Sequence, residues 1–162
     1  MACGIIINRV VEVDNELPTI SLNPIGIVRN DIKQPQTHGW ETVVSHIVID
    51  LSLSEALDNL DEFSHIIVLY WMHQHPAGQA PTKVHPKGNR KIPLKGVFAT
   101  RSPNRPNPVG KATVRLLERW GNKLLVEGLD AIDGTPVIDI KPYIPEYDSA
   151  ANARVPQWIT EE

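Results

Sequence analysis

Lys111–Leu129, Lys-Ala-Thr-Val-Arg-Leu-Leu-Glu-Arg-Trp-Gly-Asn-Lys-Leu-Leu-Val-Glu-Gly-Leu, is the stretch on which the fold turns. Lys111 to Leu117 reads as a strand, Trp120-Gly121-Asn122 as a turn, and Lys123 to Leu129 as the strand that returns beside the first. A connection this short joins antiparallel neighbours only. Upstream, His65 to Met72 is a continuous apolar run, Ile66-Ile67-Val68-Leu69-Tyr70-Trp71, the pattern of a central strand buried on both sides. Lys95–Thr100, Ile5–Val13, Ile25–Val28 and Glu41–Leu51 read as further strands. Val137–Ile140 follows the Asp133-Gly134 turn as another. Ser52 followed by Glu55 is a capping-box pattern, and Leu53, Ala56, Leu57 and Leu60 recur at helical spacing, so one short helix is predicted, ending near Asp61.

About eight short strands, one or two short helices and no βαβ alternation predict a mainly β protein built as a small antiparallel barrel. Residues 1–22 are an N-terminal extension, expected to contribute an added strand. Residues 23–147 form the barrel domain. Residues 148–162 form an irregular tail whose Trp158-Ile159 is expected to dock on the rest of the chain. Fourteen prolines and ten glycines favour turns over long helices. The single cysteine, Cys3, excludes an intramolecular disulfide and a cysteine-based zinc site and fits a reducing, cytoplasmic setting. No apolar run reaches the roughly 20 residues that span a bilayer, and no signal peptide is expected.

The segment Gly96–Gly110 has a composition that core packing does not ask for: Gly-Val-Phe-Ala-Thr-Arg-Ser-Pro-Asn-Arg-Pro-Asn-Pro-Val-Gly. Pro103, Pro106 and Pro108 stiffen the loop, so Arg101 and Arg105 ride on a rigid frame suited to planar recognition of phosphate, carboxylate or a base. The surrounding charge is one-sided. From Phe63 to Leu117 there is no Asp or Glu, while Lys83, Lys87, Arg90, Lys91, Lys95, Arg101, Arg105, Lys111 and Arg115 make nine of the sixteen cations of a chain whose net charge is −3. Such asymmetry indicates an anionic partner at one surface; the plain alternative is a solvated basic loop balanced by acids elsewhere.

Phosphate-binding loops, dinucleotide fingerprints and nucleophile elbows are absent. His73, His75 and His85 could bind a metal in principle, but no carboxylate or thiolate lies in this stretch to join them, and no metal is expected. What remains is polar groups at strand ends: His73-Gln74 where the apolar strand stops, the proline loop, and Asp133-Gly134-Thr135-Pro136 followed by Asp139-Ile140-Lys141-Pro142-Tyr143. Asp139 and Lys141 share one strand face and could simply pair.

Together these segments resemble the TsaA-like proteins, the β-barrel class of S-adenosylmethionine-dependent tRNA methyltransferases. The resemblance covers roughly Asn23 to Tyr147. It rests on Ile25-Gly26-Ile27-Val28-Arg29, on Phe63-Ser64-His65-Ile66 through His73-Gln74, on Val97-Phe98-Ala99-Thr100-Arg101-Ser102 with Arg105-Pro106-Asn107-Pro108, and on Leu129 through Pro145. It implies a homodimeric enzyme that binds S-adenosylmethionine on a small barrel and methylates the exocyclic nitrogen of N6-threonylcarbamoyladenosine, just 3′ of the tRNA anticodon. It places cofactor contacts on His73, Gln74, His85, Leu116, Asp133, Gly134, Thr135 and Pro136. The family's Pro-Arg-Gln-like cofactor loop reads here as Lys33-Gln34-Pro35-Gln36-Thr37, without the arginine.

On this reading Lys83, Lys87, Arg90, Lys91 and Lys95 hold tRNA phosphates, and Arg101, Arg105 and Asn107 orient the base or its threonyl carboxylate. Methyl transfer is an in-line displacement that depends chiefly on proximity, and the sequence identifies no general base. Two other readings stand beside this one: a non-catalytic β-barrel RNA-binding module, and a methyltransferase acting on another substrate. Aromatic residues, at 6 %, do not cluster into the stacking platform that single-strand binders use.

Overall fold

The computed structural model describes residues 17–75 and 80–160. The expected strand Ile5–Val13 lies outside them. Six antiparallel strands close into a barrel in the order β1-β2-β7-β6-β3-β8. They are β1 (Gly26–Arg29), β2 (Val44–Ile49), β3 (His65–Trp71), β6 (Val109–Trp120), β7 (Lys123–Glu127) and β8 (Pro136–Pro142). A separate two-stranded flap pairs β4 (Lys83–Val84) with β5 (Lys95–Gly96). Alternating side chains from the six strands fill the barrel, where Val28, Ile47, Ile66, Val68, Leu124, Val126 and Val137 are fully buried.

β6 and β7 form the hairpin expected from Lys111–Leu129, with Trp120 opposite Lys123. β3 is central: β6 lies on one side of it and β8 on the other. A bulge falls between Leu69 and Tyr70, where Leu69 faces Asp139 and Tyr70 faces Val137. Bulges re-aim side chains at barrel rims, and this one lies where Tyr70 approaches the rim. The Tyr70 ring packs over Gly110, where an added Cβ would fall 2.2 Å from the ring. Closure depends on a thin seam in which β1 meets β8 only through Gly26 opposite Val137 and Ile27 opposite Pro136.

Several local expectations are corrected. The segment after β2 is a 3-10 helix, Leu51–Leu57, capped by Asp50 rather than Ser52: the Asp50 carboxylate accepts hydrogen bonds from the Ser52 amide (2.8 Å) and hydroxyl (2.6 Å). The Ser54 hydroxyl bonds back to the Leu51 carbonyl, and Asn59 turns left-handed at φ 63, which ends the helix before Asp61. Of the expected strand Lys95–Thr100, only Lys95–Gly96 pairs. Val97–Ala99 coils into a 3-10 turn because the Thr100 amide and hydroxyl both donate to the Val97 carbonyl. A one-turn helix, α1 (Pro145–Asp148), leads into the tail and a second, α2 (Gln157–Thr160), lies within it, where Trp158 docks with its ring 5.8 Å from Lys95 Nζ. Asp139 and Lys141 do pair, at 2.7 Å.

Candidate functional site

At the Tyr70 end of β3 the barrel opens into a cleft of about 200 Å³. β3 stops at Trp71, and the chain turns back with the His75 amide bonded to the Met72 carbonyl. His73 and His75 therefore sit in a turn past the strand, not on its face, and both line the cleft with Gln74. Arg101 and Pro103 of the proline loop form a second wall, Pro35, Gln36 and Trp40 a third, and Asp130 to Ile132 with Thr135 the floor. The Tyr70 hydroxyl donates to the Asp130 carbonyl and joins β3 to that floor.

The Asp-Gly-Thr-Pro turn is tied to β1. The Gly134 amide donates to the Val28 carbonyl, and the Val28 amide returns a bond to the Thr135 carbonyl, both 2.9 Å. Gly134 has φ 78, a left-handed conformation that glycine adopts without strain. The Asp133 carboxylate faces Lys33 Nζ at 2.9 Å and Arg29 at 3.7 Å and accepts from the Asn30 amide. The Lys33 hydrogen bond, with the Asn30 amide and the two nearby cations, holds the Asp133 carboxyl below the usual carboxylate range against a smaller opposing effect of burial. Asp130, three residues away and solvent-accessible, is shifted the other way: partial desolvation by the surrounding chain and the neighbouring Glu41 charge push its carboxyl up. Burial likewise raises the Tyr70 hydroxyl, so it remains a hydrogen-bond donor.

The cleft thus brings His73, Gln74, Arg101 and Thr135 together. Asp133, Gly134 and Pro136 adjoin its floor through Thr135 without being part of its lining. His85 lies in the flap region, where its Nδ1–H donates to the Ile92 carbonyl at 2.7 Å. Leu116 is a core residue whose amide bonds to the Ser64 carbonyl, at the far end of β3 from the cleft. Arg105 turns inward on its own loop and donates to the Thr100 carbonyl at 3.3 Å, while Asn107 is exposed outside the cleft lining. Lys83, Lys87, Arg90 and Lys91 are exposed on and beside the flap, and no ion pair joins them to a carboxylate among the described residues. Lys95 is half-buried at the flap base.

Tyr70, Met72, Trp40 and Asp130 were not singled out in the sequence as site residues. The available signal was the end of the apolar run at Tyr70-Trp71-Met72 and one acid set between Leu129 and Ala131-Ile132.

The described residues thus form a closed antiparallel barrel protein with a polar cleft at its rim. The family described as tRNA-methyltransferase O N-terminal domain matches residues 29–149, most of the described barrel, and the chain belongs to this family. A probable S-adenosyl-L-methionine-binding protein of Methanothermobacter thermautotrophicus is 47% identical over 134 residues, covering 80% of this chain and 94% of that one. A mouse tRNA (adenine(37)-N6)-methyltransferase is 43% identical over 100 residues, covering 62% of this chain and 23% of that protein. The crystal structure of TrmO from Pseudomonas aeruginosa superposes with a TM-score of 0.71 at 33% identity, covering 88% of this chain and 63% of that one. The chain therefore spans slightly less than two thirds of that solved protein. No helix among the described residues is long and apolar enough to cross a membrane.

Proposed function

We propose that the protein is an S-adenosylmethionine-dependent tRNA methyltransferase that methylates N6 of N6-threonylcarbamoyladenosine beside the anticodon, in the cytoplasm. The reaction class and the cofactor rest on family membership, and the position on the base rests on the name of the mouse relative. The observation that carries the reading is the convergence of His73, Gln74, Arg101 and Thr135, from three separate motifs, on one cleft.

The cleft's chemistry fits the cofactor. Arg101 offers a guanidinium to a carboxylate, Gln74 and the buried Thr135 offer neutral hydrogen-bonding groups, and Tyr70, Met72 and Trp40 offer apolar surface to a purine. When bound, the cofactor supplies a methyl group already activated by the sulfonium. The task left to these side chains is to hold two reactants in line and keep water out. At about 200 Å³ the cleft falls below the roughly 300–1,000 Å³ of sites that engulf a ligand of this size. A second copy of the chain completes it in our reading, which makes the active form a homodimer. The unpaired Lys83, Lys87, Arg90 and Lys91 give the flap the charge to hold tRNA phosphates.

The test is transfer of labelled methyl into tRNA that carries N6-threonylcarbamoyladenosine and into the same tRNA without it, followed by nucleoside analysis. Label confined to the N6-methylated form of that nucleoside supports the reading. Label in another nucleoside gives a methyltransferase with a different substrate. No transfer, with tRNA still retained in a binding assay, gives a non-catalytic RNA-binding module.

A further inference from the structure

Asp130 is the one acidic side chain among the described residues that line the cleft. Its backbone is clamped. Leu129, Ala131 and Ile132 are buried, the Tyr70 hydroxyl donates to the Asp130 carbonyl, and Asn30 Nδ2 donates to the Ala131 carbonyl at 2.9 Å. The Ala131 amide closes a tight turn on the Leu129 carbonyl at 2.9 Å. The carboxyl carried by this frame makes no hydrogen bond or ion pair with any described residue. Asp133, the acid three residues on, is by contrast held by Lys33, Arg29 and the Asn30 amide. Asp130 is solvent-accessible at the cleft wall, and an unpartnered carboxylate held there on a rigid frame is free to meet a bound reactant.

We propose that Asp130 is the proton acceptor of the methyl transfer, a proposal that rests on the function argued above. As the bond between N6 and the methyl carbon forms and the methyl–sulfur bond breaks, the N6–H proton passes to an Asp130 carboxylate oxygen. The cofactor leaves as a neutral thioether, the base nitrogen ends neutral and methylated, and the carboxyl ends protonated. Other polar groups at the cleft suit this role less well. Arg101 is a cation with no free lone pair to take a proton. The Tyr70 hydroxyl is committed as donor to the Asp130 carbonyl, and burial keeps its proton in place. His73 and His75 sit on the turn beyond β3 rather than on a clamped frame. Partial desolvation and the Glu41 charge make the Asp130 carboxylate a better acceptor than an ordinary one.

The experiment compares wild type with Asp130→Asn in single turnover at saturating cofactor and tRNA. It also follows cofactor Kd by calorimetry and the Asp130 carboxyl carbon by NMR titration of the ligand-free protein. Expected are a roughly 100-fold or larger fall in rate, within the 10²–10⁴-fold span of general-base groups, with Kd changed less than twofold. The wild-type rate climbs with pH as Asp130 ionises in the presence of Glu41, His73, His75 and Arg101, and the variant loses that climb. The NMR titration falls above the ordinary carboxylate range. An unchanged single-turnover rate in an active preparation overturns the proposal. So does a large loss of cofactor affinity with the rate preserved, which makes Asp130 a counter-charge for the cofactor. If wild type itself transfers no methyl to any tRNA, the methyltransferase reading falls first and this proposal falls with it.

Discussion

Two clefts open at opposite ends of β3, and they differ in the reverse of what size suggests. The one at the Phe63 end is larger, about 430 Å³, and is walled by Ile25, Ile49, Leu53, Leu57, Leu60 and Ile140. Its acids are satisfied: Asp58 pairs with Arg119 at 2.8 Å and Asp139 with Lys141 at 2.7 Å. The one at the Tyr70 end is half that volume, yet it collects two imidazoles, two amides, a guanidinium and an unpartnered carboxyl. Unspent polarity on a fixed frame, rather than empty volume, separates a place that can do chemistry from a gap beside the core.

The comparison can be broken by substituting each end and reading stability and transfer separately. At the apolar end, Leu57 is buried within the core cluster. Leu57→Ala should cost about 2–5 kcal/mol in urea or thermal unfolding. Methyl transfer per folded molecule at 25 °C should be unchanged. At the polar end the effects reverse. Arg101 is exposed, so Arg101→Ala should shift stability by less than about 0.5 kcal/mol. It should lower kcat/KM about 10- to 100-fold, the worth of one hydrogen-bonded charge. A loss of transfer in the Leu57 variant, or none in the Arg101 variant, would reverse the assignment of the two ends.

Gly110 joins the two properties. Its missing Cβ leaves room for the Tyr70 ring, and Tyr70 in turn holds the Asp130 carbonyl. Gly110→Ala should destabilise by about 1–3 kcal/mol as the ring is forced out of place. Transfer should fall with stability, unlike either variant above. Retained activity in a destabilised Gly110 variant would show that the Tyr70 clamp does not set the geometry of the cleft floor.

Much of this was legible in the residues, and the rest was hidden for definable reasons. Hairpin and apolar-run signals are local, so β6, β7 and β3 could be read directly. The barrel class was legible in the close spacing of short strands, but which strands close it was not, because the β1–β8 seam is two residue pairs joining segments far apart in sequence. Helical spacing at Leu53, Ala56, Leu57 and Leu60 suits either kind of helix, and the serine and aspartate side chains that tip it to 3-10 act through bonds seen only in three dimensions. His73-Gln74 stood out because a buried strand ends there. Asp130 did not, since its importance depends on a hydrogen bond from Tyr70, 60 residues earlier in the chain. Leu116 carried no local sign that strand pairing would place it in the core at the other end of β3.

The smallest expected effect sharpens the contrast most, because it sets two acids three residues apart against each other. Asp133 is held below the ordinary carboxylate range, chiefly by its Lys33 hydrogen bond. Its native state favours the ionised form. The contribution to stability is therefore present above the unfolded value of about 3.9 and is lost as pH falls through the native value. Asp133→Asn should be less stable than wild type at pH 7 by the small amount typical of exposed pairs, and added salt should shrink the difference. On acidification the gap should close. Asp130 has the opposite sign. Its carboxyl is raised, so the folded state resists ionisation and is burdened above the native value. Asp130→Asn should be as stable as wild type in acid and more stable at neutral pH. Paired urea titrations of the two variants from pH 3 to pH 7 check both signs at once. Gaps of the same sign would mean that the two carboxyls are not differently held, and that Asp130 is not the unspent charge that sets the polar end apart.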